Sequence, residues 1–452
     1  MLSGTRVIVV GAGLSGLTAA ASTRGRRRAN VRVIEARDRV GGRVWSPMGE
    51  DGRTRVEAGG EFVDHEHTVL RRLVSRCGLR LARVLHQGFG LALRLNGRID
   101  LRQSQETDWQ ALTRLLAPVV RAYTADGGSW QSVTAAIIAS QSVSALLAAR
   151  RARPRTRALA EAMRGFYLAE PEELSSLVLI DQVKDGGDPG RRRMYRIVGG
   201  SSRLPEAIAA RLRGAVLLHH VLRRVTITGP TVCCHVETGS GIVLMEADVV
   251  VIAVPAPLVR SIPIEPSLPA AQAGAYAALG AGAATKLSLQ FESAWWRRRK
   301  GARAFGTNLP IGSVWDGAEE DRGAALLTCL AGADTSATMT ALVWDSGASG
   351  VVGQLDWLGT PDAARLAAPP VSWEDDPWAR GGYAVFGPGF DPRLRQLLAA
   401  NHRRVVFAGE HTSEKWQGFM NGAVESGFRA AEDVARLVTL DRLGLSSAGP
   451  EA

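Results

Sequence analysis

The sequence predicts an α/β fold with two domains, and three observations support this prediction. A short apolar strand at Val7 turns through closely spaced glycines into an alanine-rich helix. Apolar strands of the same kind recur at Val249 and Val405, and each ends in a turn that contains glycine or proline. Between these strands lie a mainly helical stretch at 105–180 and strands at 284–345. One Rossmann-like sheet built from three distant segments, with a second domain between them, explains this order.

The turn after the first strand has the spacing of a dinucleotide-binding motif. Gly11 allows a tight turn, Gly13 lets a pyrophosphate approach the backbone, and Gly16 lets the helix pack closely on the strand. The N-terminus of the helix adds free N–H groups and a positive dipole. Glu35 ends the next strand, Val31–Ile34, where a carboxylate accepts hydrogen bonds from a ribose diol. The first 35 residues therefore predict a dinucleotide without a 2′-phosphate.

Length, charge and hydropathy exclude several other classes. The 452 residues allow two or three domains, and no apolar run approaches the roughly 20 residues of a membrane span. The net charge is +11, but nearly all cations are arginines without a shared spacing, so we expect no nucleic-acid partner. A strand, rather than a signal peptide, begins almost at the first residue. We therefore expect a cytoplasmic protein with no membrane partner.

The residues that follow Glu35 indicate which dinucleotide is bound. Arg39, Gly41, Gly42 and Arg43 bring a second glycine turn and a cation to the same pyrophosphate. This stretch resembles the flavoprotein amine oxidase superfamily, which includes monoamine oxidases, polyamine oxidases and L-amino acid oxidases. The resemblance continues in family order through "VEAGGEFV", "IVGGSSRLPEAIAARL", "DVVVIAVPAPLV" and "FAGEHTSEKWQGFMNGAVESGFRAA". It spans almost the whole chain and implies a monoamine oxidase-like bacterial protein with FAD as its cofactor.

The resemblance also implies a Rossmann-like FAD-binding domain of the glutathione-reductase type and a substrate domain. The FAD-binding domain would be discontinuous, with residues 1–75, 195–275 and 380–440. The substrate domain would combine a helical part, residues 76–194, with a strand-rich part, residues 276–379, that contributes a mixed sheet. Dimers are common among similar proteins, so a homodimer is a further expectation.

The same resemblance carries a set of FAD-binding residues over to this chain. They are Gly11, Gly13, Gly16, Glu35, Arg37, Gly42, Arg43, Gly59, Gly60, Val221, Gly409, Glu410, Gly418, Phe419 and Met420. Val221 would meet the adenine through its backbone, and Gly409 and Glu410 would lie at the ribityl chain and pyrophosphate. Met420 would lie near the start of the last helix, whose dipole favours the anionic side of the reduced flavin. Glu410 could instead be an ordinary exposed carboxylate.

Four residues are expected at the reacting centre, namely Lys286, Glu61, Tyr383 and Phe419. Lys286 matches the family lysine that holds a water against flavin N5, although a surface lysine at a strand end is the alternative. Tyr383 and Phe419 match the two rings that flank the substrate nitrogen in monoamine oxidases, and both could instead be core aromatics. Gly382 stands where animal monoamine oxidases have the cysteine that is bonded to the flavin. We therefore expect FAD to be bound non-covalently.

Glu61 departs from the family, since many relatives have a small or apolar residue after the glycine pair. A carboxylate there could accept a proton from the reacting N–H or anchor a cation, and a structural, salt-bridged glutamate is the alternative. Amino acid oxidases typically have an arginine close by, and its absence beside Glu61 makes α-amino acids less favoured substrates. Tyr167, Trp315 and Trp416 are expected to line the substrate pocket, and we expect no metal site.

Together these residues predict an FAD-dependent oxidase that acts on an amine or an amide. The resemblance implies that a hydride passes from the carbon next to nitrogen to flavin N5, giving an imine or iminium, and that O2 then yields H2O2. The arginine-rich composition and Glu61 add the hypothesis of a natural-product or antibiotic pathway, with oxidation coupled to ring closure. Alternatives are an L-amino acid oxidase, a carotenoid-desaturase-like or protoporphyrinogen-oxidase-like enzyme, and a flavoprotein that binds or senses without turnover.

Overall fold

The computed structural model describes residues 4–27, 29–52, 55–184, 193–298, 300–320 and 323–442. The strands in these ranges are β1 (Arg6–Val10), β2 (Asn30–Ile34), β3 (Val63–Asp64), β4 (Leu81–Val84), β5 (Phe89–Leu95), β6 (Arg98–Arg102), β7 (Met194–Ile197), β8 (Val216–Leu217), β9 (Val221–Thr228), β10 (Thr231–Thr238), β11 (Gly241–Ala247), β12 (Val249–Ile252), β13 (Ile264–Glu265), β14 (Gly280–Ala281), β15 (Ala284–Phe291), β16 (Ala304–Thr307), β17 (Ser313–Asp316), β18 (Leu326–Gly332), β19 (Ala364–Leu366), β20 (Val371–Ser372), β21 (Ala384–Val385) and β22 (Val405–Phe407).

The helices in the same ranges are α1 (Leu14–Arg27), α2 (Thr68–Arg76), α3 (Glu106–Ala125), α4 (Val133–Ala139), α5 (Val143–Ala149), α6 (Pro154–Ala162), α7 (Arg164–Tyr167), α8 (Ser176–Lys184), α9 (Arg203–Arg211), α10 (Ala256–Val259), α11 (Ala270–Ala278), α12 (Asp334–Val352) and α13 (Met420–Arg442). Short 3-10 helices cover Trp295–Arg298, Asp356–Leu358, Pro392–Ala399 and Glu410–Thr412. Residues 185–192 of the expected helical part lie outside the described ranges.

Five parallel strands form the sheet that the sequence predicts, in the order β22, β12, β1, β2, β8. β1 pairs with β12 from Val7 opposite Val249, and β12 pairs with β22 from Val250 opposite Val405. The three apolar strands that lie far apart in the chain are therefore neighbours, as expected. Their residues are almost all buried, which explains why their sequences are unbroken apolar runs rather than alternating ones.

Two helices cover one face of this sheet. Val7 and Val9 share a core cluster with apolar residues of α1 and α13, whereas the alternate side chains of β1 pack into a second cluster. α1 and α13 lie so close together that a Cβ on Gly427 would overlap the carbonyl oxygen of Ser15. Gly427 therefore allows the last helix to lie directly against the first one.

A larger sheet and a helical layer form the other half of the structure. The sheet has the strand order β19, β15, β18, β17, β16, β5, β6, and β20 also pairs with β15. Helices α3 to α8 follow one another from residue 106 to residue 184, as the helical stretch predicts, and share a core cluster with β5. The expectation that residues 76–194 are helical is incomplete, because β5 and β6 precede α3 and extend the sheet through parallel pairing of β5 with β16. The domain boundaries themselves stay a prediction.

The carboxyl ends of β1, β12 and β22 meet at one edge of the parallel sheet. Gly11 follows β1, and a Cβ at this position would lie 2.9 Å from the carbonyl oxygen of Ala253, which follows β12. Gly409 comes shortly after β22 and precedes a short 3-10 helix. Ligands of open parallel sheets bind at this edge. The fold therefore brings the glycine turns of three distant segments to one place.

Candidate active site

One continuous cavity of about 930 Å³ contains nearly all the site residues expected from the sequence. Gly16 is the exception, because it faces the turn, where a Cβ would overlap the carbonyl oxygen of Gly11. The expected residues that line the cavity are Gly11, Gly13, Glu35, Arg37, Gly42, Arg43, Gly59, Gly60, Glu61, Tyr167, Val221, Lys286, Trp315, Tyr383, Gly409, Glu410, Trp416, Gly418, Phe419 and Met420. The fold therefore brings residues from the whole length of the chain to a single site.

The turn between β1 and α1 leaves open space in front of Gly13. A Cβ added there would meet nothing within 4 Å, whereas Gly11 has a φ of +100° and is packed against its neighbours. Gly42 has a φ of +57°, and a Cβ on it would lie 3.5 Å from the Cα of Gly13, so the second glycine turn lies against the first. This open backbone lies at the N-terminus of α1, where an anion is favoured. The residues present therefore fit the pyrophosphate of FAD.

Glu35 and Arg37 are both fixed by neighbouring groups. The carboxylate of Glu35 is buried and accepts hydrogen bonds from the backbone N–H groups of Ala12 at 2.7 Å and Arg37 at 3.0 Å. A carboxylate has about four acceptor sites, so capacity remains for ribose hydroxyls. The guanidinium of Arg37 donates two 2.7 Å hydrogen bonds to Asp376, so its charge is already paired. Val221 lines the same cavity at the start of β9.

Arg43 and Glu410 form an ion pair inside the site. Nη1 of Arg43 donates to Oε1 of Glu410 at 3.1 Å and to the carbonyl oxygen of Gly382 at 2.7 Å. Glu410 also accepts hydrogen bonds from the backbone N–H groups of Ala384 and Gly418, and only 7% of the residue is exposed. The alternative of an exposed carboxylate is therefore wrong for Glu410. The pair joins three segments that lie far apart in the sequence.

Lys286 is buried and makes two hydrogen bonds through Nζ. It donates to Oε2 of Glu61 at 2.6 Å and to the carbonyl oxygen of Gly59 at 2.9 Å, and 4% of the residue is exposed. The alternative of a surface lysine is therefore wrong. Nζ also lies 5.2 Å from the ring centroid of Trp315. An ammonium has three N–H groups, so Lys286, which lines the cavity, has a further donor beyond these two bonds.

Glu61 is held between two cations. Its Oε1 accepts hydrogen bonds from Nε of Arg196 at 2.5 Å and from Nε1 of Trp315 at 3.0 Å. Burial raises the pKa of Glu61, but the charges of Arg196 and Lys286 and the hydrogen bonds from Lys286 and Trp315 outweigh burial and hold the pKa below its usual value. A carboxylate that its neighbours keep ionised is a poor proton acceptor. The geometry thus matches the salt-bridged alternative for Glu61 better than the role of a base.

Arg196 is a residue of this site that the sequence did not indicate. It lies in β7, and its Nη1 and Nη2 donate to Glu320 at 2.8 Å and to the carbonyl oxygen of Asp316 at 2.9 Å. The sequence has no arginine beside Glu61, yet the fold supplies one from β7. Arg196 is not among the described residues that line the cavity, so it faces Glu61 rather than a ligand. In the sequence, only its position as a charged residue within the short strand "MYRI" could have drawn attention to Arg196.

A second buried carboxylate, that of Glu57, lies near this group. It accepts hydrogen bonds from the hydroxyl of Ser46 at 2.8 Å and the backbone N–H of Ser201 at 2.7 Å. Burial raises the pKa of Glu57 to about 7, and the charge of Glu61 acts in the same direction. Burial therefore favours the neutral form of Glu57, whereas the cations around Glu61 favour its ionised form.

Aromatic rings surround another part of the cavity. The hydroxyl of Tyr383 donates a hydrogen bond to the carbonyl oxygen of Phe166. The ring of Phe419 has centroid distances of 5.1 Å to His67, 5.9 Å to Trp416 and 6.3 Å to Phe166. All five residues line the cavity. The placement of Tyr383 and Phe419 on either side of a substrate nitrogen stays a prediction.

The remaining wall of the cavity is mostly apolar. Tyr167 lines it and donates a hydrogen bond from its hydroxyl to Gln182. Leu91, Trp109 and Leu159, from the core cluster of the helical layer, line it as well.

In the described part of the chain, no group of three or more His, Cys, Asp and Glu side chains is arranged to hold a metal ion. None of the described helices combines the length and apolarity needed to cross a bilayer.

Known proteins resemble this chain in sequence over almost its whole length. The family model for flavin containing amine oxidoreductases matches residues 14–435. Flavin-containing amine oxidase B of Sus scrofa is 27% identical, over 96% of this chain and 86% of that protein. Flavin-containing amine oxidase A of Bos taurus is also 27% identical, over 98% of this chain and 86% of that protein. A putative L-amino-acid oxidase of Bacillus subtilis, YobN, is 24% identical over 95% of both chains.

Solved structures share the fold. Cyclohexylamine oxidase from Brevibacterium oxydans superposes with a TM-score of 0.83 at 24% identity, covering 96% of this chain and 100% of that one. Putrescine oxidase bound to putrescine superposes with a TM-score of 0.82 at 23% identity, covering 96% and 99%. These likenesses confirm the predicted architecture of a Rossmann-like FAD-binding domain with a substrate domain. The chain therefore belongs to the flavin-containing amine oxidoreductase family, and it is an amine-oxidising enzyme with FAD as its cofactor.

Proposed function

We propose that this enzyme removes a hydride from a carbon bonded to an amine nitrogen, releases an imine or iminium, and uses O2 as the final acceptor with formation of H2O2. Bound FAD supplies the hydride acceptor in this chemistry. One observation carries the proposal: Lys286, Tyr383 and Phe419 line the same cavity as the glycine turns that fit the nucleotide. A substrate amine and the cofactor would therefore share one enclosed space.

The residues of the chain would bind and orient the amine rather than exchange protons with it. Burial and the charge of Glu410 raise the pKa of Tyr383, so its phenol stays protonated. The hydroxyl is already bonded to the carbonyl oxygen of Phe166, which fixes the plane of the ring. With Phe419, this ring would align the C–H bond of an electron-rich amine. The free N–H of Lys286 would hold a water in the same space.

Gly382 supports the prediction of non-covalent FAD. A Cβ at this position would lie 2.5 Å from Cδ1 of Leu168 and 3.2 Å from Cβ of Ala284. Its carbonyl oxygen is also bonded to Arg43, which fixes the backbone there. A side chain at position 382 would therefore have to displace Leu168, and glycine offers no thiol, so a thioether to the flavin is not expected.

We expect an amine rather than an α-amino acid at the reacting centre. A substrate carboxylate there needs an unpaired cation, yet Lys286 is paired with Glu61, and Arg43 is paired with Glu410. Arg37 is likewise paired, through its bidentate contact with Asp376. Arg380 and Lys415 also line the cavity. The apolar wall formed with the helical layer suits the carbon skeleton of an amine. An L-amino acid oxidase is the second candidate, supported by the similarity to YobN.

The hypothesis of oxidation coupled to ring closure gains no support from the site. It needs Glu61 as a base, and the three donors around this carboxylate leave it ionised and bound. The natural-product pathway and the homodimer likewise stay expectations from the sequence.

An anaerobic screen tests the proposed function. The purified protein is mixed without O2 with arylalkyl, cyclic and diamine substrates and with L-amino acids, and the flavin absorbance is followed. Apolar amines are expected to bleach the flavin, and admission of O2 is expected to restore the absorbance and give one H2O2 for each amine oxidised. Each amine has its N-acetylated form as a matched control, which keeps the carbon skeleton and removes the basic nitrogen. Purified protein without flavin, or flavin that no amine bleaches, contradicts the proposal.

A further inference from the structure

Lys286 is one end of a chain of three buried charges. Nζ of Lys286 lies 2.6 Å from Oε2 of Glu61, and Oε1 of Glu61 lies 2.5 Å from the guanidinium of Arg196. The exposed fractions of the three residues are 4%, 4% and 1%. The members come from β15, from the loop before β3 and from β7. Solvent screens charges only weakly at this depth, so each member strongly affects its neighbour.

The far end of this charge chain is fixed by the protein. Arg196 donates to Glu320 and to the carbonyl oxygen of Asp316, and its guanidinium lies 5.2 Å from the ring centroid of Phe62. A planar guanidinium bonded on three sides holds a single orientation. Arg196 therefore sets the position of the carboxylate of Glu61.

The near end of the charge chain is intrinsically flexible. A lysine side chain has several rotatable bonds and an ammonium that can point in many directions. In this structure two acceptors restrict it, namely Glu61 and the carbonyl oxygen of Gly59. Only Glu61 carries a charge, so Glu61 is the partner that keeps a buried ammonium at this point. The remaining N–H group is then directed away from both acceptors.

We infer that Glu61 and Arg196 are positioning residues, which hold Lys286 as an oriented ammonium with one N–H group available to the cavity. Arg196 orients Glu61, and Glu61 orients Lys286. This inference rests on the proposed function for what Lys286 meets in the cavity. It predicts that the effect of Glu61 on the cofactor passes entirely through Lys286.

A double-mutant cycle tests this dependence without any amine. The flavin in wild type, E61Q, K286M and E61Q/K286M is reduced with dithionite, and its reoxidation by O2 is followed by stopped-flow absorbance. We expect E61Q and K286M each to slow reoxidation by about tenfold or more, and the double variant to match K286M alone. The affinity of the oxidised flavin for sulfite, measured by absorbance, is expected to fall in the same pattern. An unchanged E61Q, or an E61Q effect that persists in full beside K286M, overturns the inference.

Two further variants keep the test decisive. E57Q is the matched control, because Glu57 is a buried carboxylate whose hydrogen bonds go to Ser46 and Ser201 rather than to Lys286. Glu57 acts on Lys286 only through its charge, so the effect of E57Q on reoxidation is expected to stay within about twofold, well below that of E61Q. R196K keeps the charge but loses the planar guanidinium. If E61Q does not fold, R196K replaces it in the double-mutant cycle with K286M. We expect R196K to slow reoxidation only when Lys286 is present, and an equal effect in both backgrounds overturns the inference.

Failure of this inference differs visibly from failure of the proposed function. If no amine bleaches the flavin, the proposed function is wrong, while the dithionite experiment still reports on Lys286. If amines are oxidised but the cycle is additive, the proposed function stands, and Glu61 is a structural residue only.

Discussion

Gly13 and Gly16 belong to one motif, but each lacks a side chain for a different reason. Gly13 faces open space, so its missing side chain matters only for a ligand. Gly16 faces the backbone, where a Cβ would overlap the carbonyl oxygen of Gly11. The pattern of glycines at positions 11, 13 and 16 therefore combines a binding requirement with a folding requirement.

Alanine substitutions are expected to separate these requirements. G13A should leave the apoprotein as stable as wild type but weaken FAD binding by about tenfold or more, because a methyl group occupies the space of the pyrophosphate. G16A should destabilise the apoprotein by about 1–3 kcal/mol through overpacking. Thermal unfolding of the apoproteins and FAD titration by fluorescence measure both effects. Equal losses of stability in the two variants would show that Gly13 is also packed.

Helix α7 is the element that connects the helical layer, the large sheet and the aromatic rings. A Cβ on Gly165 would lie 2.6 Å from Oγ of Ser313 and 2.8 Å from the carbonyl oxygen of Leu330, so α7 lies directly on β17 and β18. The next residue, Phe166, accepts the hydrogen bond from Tyr383. The position of α7 therefore determines where Phe166 and Tyr167 enter the cavity.

G165A is expected to displace α7 without disturbing the FAD site. The KM for an amine substrate should rise by about tenfold, while the FAD content stays at that of wild type, because the added methyl group pushes against β17 and β18. G274A serves as the control, since a Cβ at this position of α11 meets nothing within 4 Å. Steady-state kinetics give the KM of each purified variant, and the flavin absorbance gives its FAD content. Loss of FAD from G165A would contradict this separation of roles.

The elements show why part of the structure could be predicted from the sequence. The glycine turns and the strands that precede them are local requirements of the backbone, so β1, β12 and β22 could be identified as one sheet. β5 was missed although the leucines of "FGLALRL" alternate and the strand lies between Gly88 and an Asn96-Gly97 turn, which together are the sequence signal of a hairpin. Its pairing with β6 is local, whereas its parallel pairing with β16 depends on distant residues.

The site was predictable to the extent that its residues lie in recognisable motifs. Lys286 and Glu410 could be predicted from the blocks around them, and both are buried and line the cavity. Arg196 could not be found, because its partner Glu61 lies 135 positions away and no local pattern marks an ion pair. The interpretation of Glu61 therefore changed from a possible base to a salt-bridged carboxylate once the fold showed its neighbours.

The stability of the whole molecule is expected to depend on pH through Glu57. Its pKa in the folded protein is about 7, above the usual value of 4.5, so the folded state binds this proton more tightly than the unfolded state. This contribution to stability is full below pH 4.5 and is lost as the pH rises through about 7. E57Q cannot ionise, so its free energy of unfolding relative to wild type should increase between these pH values. Urea unfolding across this range measures the difference, and a constant difference would contradict the assignment.

The parallel sheet has a consequence for the synthesis of the chain. β1 is synthesised long before β22, which completes its sheet, and α13, which covers it. The strands β1, β2 and β12 must therefore wait, with the outer side of β12 unpaired, until β22 and α13 have been made. Such long-range pairing is slow and exposes apolar surface to aggregation. Nascent chains that are halted before residue 405 are accordingly expected to be unable to capture FAD, although every residue of the first glycine motif has already been made.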